Sequence, residues 1–352
     1  MSQSLLSGTQ MSGTMTKMAP THQPTLKLIH LWLLWIPFSV CMAIGWGGLW
    51  IWLPLLTLGA LHPALDFFAR RIGSSQVLGS GLSEFLILAY PAFQTAALIA
   101  FLFQIRAESP SSSTLIVRGL YFGLMSGAIG ITVAHELIHR SARWRRGIGV
   151  WLLSLVLYSH YRVEHIFGHH VRVATREDSS TGRRGEWFYS FWVRAVFEGY
   201  RNAWALELRK DWKKNRLVRY VLLQLALLSA CYEVAGTSGL IFFVLQALTA
   251  ILLLELIDYV EHYGLERKRL PGGGYEAFTA RHAWDSNHRF TNAFLINLGR
   301  HADHHLHPRR LCTQLVNQEG GPLLPYGYST MLILALIPPL YFRAVEPGLT
   351  KT

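Results

Sequence analysis

Nine of the chain's 16 histidines fall in four tight clusters: His135 and His139; His165, His169 and His170; His262; and His301, His304 and His305. The neutral imidazole is the commonest borderline metal ligand, and the ligands of one ion must converge within a few ångströms once the chain folds. One ion accepts about four to six of them, so nine imply two ions if the clusters meet in space. The register points the same way. His135 and His139 stand at i and i+4, His165 and His169 repeat that step with His170 alongside, and His301, His304 and His305 follow i, i+3, i+4. Each set therefore projects from one helix face.

Several chemistries use such residues. His135 to His139 spells HExxH, the signature of a zinc protease in which the glutamate is the base, but a catalytic zinc takes three protein ligands and leaves six clustered histidines without a task. A structural zinc site recruits cysteine and closes at four ligands. Hydrogen-bonded packing suffices for single histidines such as His30, His62, His160 and His282, not for four clusters in register. Two redox-active irons held mainly by imidazole, with positions open to oxygen, fit the count best. Each cluster also carries an acid next to a histidine: Glu136, Glu164, Glu261 and Asp303. Metal-bound imidazoles commonly donate their other N–H to a carboxylate, so these four are candidates for backing the ligands, and the alternative is that one of them bridges the two ions. Cys41, Cys231 and Cys312 show no CxxC spacing, whereas a rubredoxin-type iron centre needs four thiolates. Any such centre belongs to another polypeptide.

The elements that must position these clusters are membrane helices. Of 352 residues 51% are hydrophobic and only 15% charged, and mean hydropathy is +0.25, which argues against a soluble globule. Six stretches are long and apolar enough to span hydrocarbon: roughly 27–46, 47–66, 84–105, 114–135, 217–235 and 239–259. Lys17 and Lys27 precede the first, Arg70 and Arg71 follow the second, and a dense basic stretch, 140–219, separates the fourth from the fifth. The positive-inside rule then places both termini and the long central loop in the cytoplasm. The formal net charge of +12 belongs mainly to that face, where it signals topology, attracts anionic lipid or docks an acidic protein; nucleic acid is not an expected partner. Residues 1–24 read as a disordered cytoplasmic tail and 25–352 as a single membrane domain. Gly45, Gly47 and Gly48 suit a tight hairpin between the first two spans. The apolar segments 147–161 and 329–342, the second broken by Pro338 and Pro339, are buried or interfacial pieces able to roof the site. Glu255 and Asp258 lie in the last turns of the sixth span, where an ionisable residue is a functional candidate by default. Trp46, Trp50 and Trp52 are either interface anchors or stops in a substrate tunnel.

At the clusters the chain resembles the membrane alkane hydroxylase and xylene monooxygenase family, within the wider class of histidine-box integral membrane oxygenases and fatty acid desaturases. His135-Glu136-Leu137-Ile138-His139-Arg140 is similar to that family's first box, Glu164-His165-Ile166-Phe167-Gly168-His169-His170 to its second, and Leu298-Gly299-Arg300-His301-Ala302-Asp303-His304-His305 to its last. Asp258-Tyr259-Val260-Glu261-His262-Tyr263-Gly264-Leu265 resembles the motif that marks hydroxylases and not ordinary desaturases. Val173-Ala174-Thr175, Glu177-Asp178 and Gly185-Glu186 look more like the alkane branch than the aromatic one, and 284–292 fits the run before the last box. Gly299 stands where a glutamine is usual and Ala302 where a serine is common; neither removes a ligand.

The resemblance implies an all-α, multi-pass protein of the inner (cytoplasmic) membrane with six transmembrane helices and a cytoplasmic, histidine-rich di-iron cap. It implies two non-haem Fe held by the nine clustered histidines, and O2-dependent hydroxylation of the terminal methyl of a medium-chain n-alkane to a 1-alkanol. Rubredoxin and rubredoxin reductase would supply the electrons. The alternatives are a methyl hydroxylase of alkyl-aromatics, a lipid desaturase, an intramembrane zinc protease and a metal-binding or transport protein.

Overall fold

The computed structural model describes residues 32–69 and 80–350. The tail 1–24, Lys17, Lys27, His30, Arg70 and Arg71 lie outside the described residues, so the charge pattern there bears on orientation only through the sequence. Among the described residues the chain is helical throughout, with two isolated bridge pairs in the loops.

The main helices among the described residues are α1 (Trp32–Trp46), α2 (Gly48–Phe68), α3 (Ser80–Glu108), α4 (Ser112–His139), α5 (Arg143–Leu155), α6 (161–172), α7 (Phe188–Glu207), α8 (Arg216–His262), α9 (Arg289–Phe294), α10 (His301–Leu306), α11 (Tyr328–Ala335) and α12 (Pro338–Leu349). Four of them, α2, the 81–108 part of α3, α4 and α8, are long and apolar enough to cross a membrane. The sequence predicts six spans, and the two differences have physical causes. The described part of α1 has 15 residues, about 23 Å of helix, short of a full crossing. The stretches 217–235 and 239–259 run together as the 47-residue α8.

That helix is not straight. Ala235 (φ −134°, ψ 18°) and Gly236 (φ 60°, ψ −151°) leave helical geometry, and Gly236 sits in a region that only glycine enters easily. A Cβ added at Gly239 would fall 2.5 Å from the carbonyl oxygen of Cys231, although residues eight apart on a straight helix stand about 12 Å from each other. The chain therefore doubles back at Gly236. Gly47, between α1 and α2, has nearly the same angles (φ 62°, ψ −149°), so both reversals use one backbone device.

The second arm of α8 packs most extensively on α4, and the contact is made by absence of side chain. Gly119, Gly123 and Gly127 recur every fourth residue along α4, and a Cβ at Gly123 would lie 2.4 Å from Thr249 Cβ and 2.6 Å from the Gln246 carbonyl. Backbones meeting that closely gain dispersion contacts in a solvent that offers no hydrophobic drive. A π-turn at Ser126–Ile131 then shifts the helix register just before His135.

Helices α5 to α7 and α9 to α12 form a cap over one end of this bundle. Asp66, at the end of α2, accepts hydrogen bonds from the backbone N–H of Phe290 (2.9 Å) and Thr291 (3.1 Å), capping the start of α9 and tying the membrane hairpin to the cap. Trp284, fully buried, donates from its indole N–H to the Tyr263 carbonyl at 3.0 Å and fixes the loop before α9 on the end of α8. Of the two short apolar segments, 147–161 enters α5 and 329–342 splits into α11 and α12 where Pro338 opens a new helix. Helix α7 leaves Tyr189, Val193, Phe197 and Tyr200 exposed at helical spacing, an apolar stripe suited to the membrane interface. Trp46, Trp50 and Trp52 are exposed around the first hairpin, away from the histidines, as interface anchors are.

Candidate metal centre

Four helices bring the nine clustered histidines into two adjoining groups. His135 and His139 come from the end of α4, His165, His169 and His170 from α6, His262 from the last residue of α8, and His301, His304 and His305 from α10. The first group is His135, His139, His165, His170 and His304; the second is His169, His262, His301 and His305. Within each group one ligand atom per residue lies within 4.8 Å of all the others. The His170 and His305 rings, one from each group, stand 4.4 Å apart.

Local helix geometry decides which histidine joins which group. The i, i+4 step predicts that His165 and His169 face together, and the structure separates them. Residues His165–His169 form a π-turn, whose wider pitch puts i and i+5 on one side. His165 and His170 thus share the first group, their Nε2 atoms 3.1 Å apart, while His169 turns into the second. Helix α10 serves both groups: His301 and His305, one α-turn apart, enter the second with Nε2 atoms at 3.0 Å, and His304 enters the first.

The crowding of ring nitrogens tests whether a cation fits. His165 Nε2 lies 2.8 Å from His135 Nε2, 3.1 Å from His139 Nε2 and 3.1 Å from His170 Nε2. A ring nitrogen has one hydrogen or one lone pair, so it cannot satisfy three such neighbours. Nitrogens bound to one ion at about 2.1 Å and at right angles to each other stand about 3 Å apart. The second group repeats the spacing, with His301 and His262 at 2.9 Å and His169 and His305 at 3.3 Å. Burial, with the neighbouring imidazoles, pushes His165, His170, His301, His304 and His305 well below the usual histidine range, so at neutral pH each offers a lone pair. His169 moves the other way: burial pulls it down, but the Asp178 carboxylate, 2.9 Å from its Nδ1, more than offsets this.

The acids follow sequence adjacency poorly. Glu261 accepts from the Tyr328 hydroxyl at 3.0 Å and stands 3.3 Å from His301 Nδ1, so it lies beside a histidine of another cluster, without hydrogen-bonding that nitrogen. Glu136 pairs with Arg140 at 2.8 Å and accepts from the Cys312 N–H at 3.3 Å, turned away from the rings. Glu164 accepts from the Ser179 hydroxyl at 3.0 Å and faces Arg172 at 3.4 Å. Asp303 holds Arg310 through both oxygens at 2.7 Å, together with His307 at 2.8 Å and the Val316 N–H at 2.9 Å, and so anchors the loop after α10. The expectation that all four back ligating histidines is thus corrected for Glu136, Glu164 and Asp303. Successive helical residues diverge by about 100°, which sends an acid beside an inward histidine sideways or outward. Sequence reasoning passed over Asp178, although it lies in the Glu177-Asp178 pair, and over Asp285, which accepts from the Ala302 N–H at 2.8 Å and holds the start of α10.

Below the rings, toward the bundle, a narrow cavity has room (30 Å³) for a molecule the size of O2 or water. Its apolar wall includes Ile131, Leu254, Ile257 and Leu298; His135 and His301 reach it from the two groups, with Asp258 and Glu261 beside them.

Comparison with known proteins places this arrangement. The fatty acid desaturase family model matches residues 111–319, a span that contains all nine clustered histidines. Alkane 1-monooxygenase 2 of Pseudomonas aeruginosa is 36% identical over 341 residues, covering 90% of each chain. The chain belongs to the alkane 1-monooxygenase family. Alkane 1-monooxygenase 2 of Alcanivorax borkumensis is 33% identical, covering 89% of this chain and 86% of that one, and the xylene/toluene monooxygenase hydroxylase component of Pseudomonas putida is 27% identical over 87% and 85%. For an alkane 1-monooxygenase family member, a membrane bundle ending in two imidazole groups puts metal-binding capacity beside a lipid-facing scaffold.

Proposed function

We propose that the chain is an alkane 1-monooxygenase that uses O2 to hydroxylate the terminal methyl of medium-chain n-alkanes, at two irons held by His135, His139, His165, His170 and His304 on one side and His169, His262, His301 and His305 on the other. The carrying observation is the inward convergence of all nine imidazoles into adjoining sets of five and four. Bound there, the irons supply the oxidising power that no side chain has. The chain's own residues do the rest. Asp178 orients His169 and raises its basicity, and Glu261 stands 3.3 Å from His301 Nδ1. Ile131, Leu254, Ile257 and Leu298 keep the cavity dry and apolar, as a methyl group requires.

In this reading α1, α2, α3, α4 and the two arms of α8 are six spans, with residues 25–352 one domain in the inner membrane and both termini cytoplasmic. The two glycine reversals and the apolar stripe of α7 support it. Electrons come from rubredoxin and its reductase. The surface that favours an acidic donor is a bowl of 1080 Å³ where Arg176, Arg183, Arg184, Lys268 and Arg281 outnumber Glu266, Glu276 and Glu319. His282 lines that bowl, and the Phe278 ring lies 5.7 Å from His282 and 5.2 Å from His305, so the donor face is one aromatic ring from the second group. The outward turn of Glu136 speaks against a protease, whose base must face the metal. Supplying octane, and separately xylene, to membranes with rubredoxin and its reductase tests the assignment: 1-octanol is the expected main product, and xylene oxidation with octane untouched would replace this reading by the aromatic one.

A further inference from the structure

Hydroxylation by O2 consumes more than electrons: RH + O2 + 2e⁻ + 2H⁺ gives ROH + H2O, so two protons must reach a cavity that bulk water does not fill. A buried polar chain that includes two acids of α8 leads to it. The Tyr158 hydroxyl donates to Glu255 Oε1 at 2.7 Å. Glu255 Oε2 has no hydrogen-bond partner, and neither has Oδ2 of Asp258, three residues on. The i, i+3 spacing puts the two carboxyls on one face of α8, and Asp258 lines the cavity between His135 and His301. Both carboxyls are buried (2% and 3% exposed), and among the described residues no cation pairs with either. A buried carboxylate without a cation is costly, whereas a carboxylic acid keeps one O–H to hand on. On its outer side the Tyr158 ring stands 4.3 Å from that of His160, and His160 stands 5.1 Å from Tyr200, which reaches the surface.

We propose that Tyr158, Glu255 and Asp258 form a proton relay feeding the cavity, Asp258 handing on the protons that accompany reduction of O2 to water while the electrons arrive from the donor protein. This rests on the monooxygenase reading above. Neither carboxyl belongs to either histidine group, and they stand seven and four residues before His262, so their task is separate from holding metal.

Infrared spectroscopy of the metal-free, full-length protein reads the relay without turnover. Carboxylic-acid carbonyl bands that shift in D2O are expected, one lost in Glu255→Gln and another in Asp258→Asn, with the Glu255 band moved in Tyr158→Phe. Spectra identical to the parent's in both carboxyl variants would overturn the relay. In the iron-loaded enzyme, Asp258→Asn should keep the parent's metal content, lose turnover on the order of a hundredfold and release hydrogen peroxide in place of alcohol, with Asp258→Glu restoring much of the rate. Metal loss in Asp258→Asn would make the residue a ligand and overturn the relay. A parent that makes no alcohol from alkane overturns the functional reading and the relay with it; a parent and Asp258→Asn that hydroxylate equally overturn the relay alone.

Discussion

The two histidine groups are built differently although they touch. The first has five imidazoles from α4, α6 and α10, and the Nδ1 atoms of His135, His165 and His170 are buried with no hydrogen-bond partner, as are those of His262, His301 and His305 in the second. The second has four, from α6, α8 and α10, with Asp178 behind His169 and Glu261 behind His301. A carboxylate behind an imidazole fixes the ring and strengthens it as a ligand. The difference is therefore one of single rings: Asp178 holds His169 and Glu261 lies near His301, whereas among the described residues no carboxylate hydrogen-bonds a ring of the first group. The bowl lined by His282 lies one aromatic ring, Phe278, from the second group, which under the proposed function is where electrons would arrive.

Replacing one ligand from each group breaks the comparison most severely. His165→Ala removes the nitrogen at the middle of the first group, and His301→Ala removes one from the second. Each should abolish alcohol formation, and each should cost about one metal equivalent by elemental analysis while the other site stays loaded. A protease reading predicts indifference at His301.

Next come the backing acids. Asp178→Asn and Glu261→Gln should weaken metal retention at the second group about 10- to 100-fold in competition with a chelator, whereas Glu136→Gln, whose carboxylate meets Arg140, should leave retention at the parent value. Equal losses in all three would mean that the acids act on the whole cap and not on particular rings.

The scaffold is tested at α4 against α8. Gly123→Val inserts a side chain where a Cβ already meets Thr249 and the Gln246 backbone, and should lower stability by about 1–3 kcal/mol in thermal unfolding, with both groups losing metal together.

The smallest effect belongs to the bowl. Arg281→Glu should raise the KM for an acidic donor several-fold and flatten its dependence on salt, leaving metal content unchanged. A rate indifferent to ionic strength in the parent would move donor docking elsewhere.

What the sequence disclosed depended on periodicity. Apolar runs and the i, i+4 histidines made a helical membrane protein with a metal-binding end legible, because both signals repeat along one helix. The pairing of His165 with His170 was not legible, because a π-turn changes the period that the reading assumed. Neither were the bond of Asp178 to His169 and the approach of Glu261 to His301, since contacts made by the folded backbone leave no local pattern. The merged α8 shows the converse: two apolar runs separated at Gly236 were visible in sequence as two arms, and the backbone angles at Ala235 and Gly236 give the physical reason.

The most direct test of the paired groups is elemental analysis of the purified protein, joined to product identification with octane. Two equivalents of iron per chain together with 1-octanol are the predicted result. One equivalent of zinc, with no alcohol formed, would contradict it.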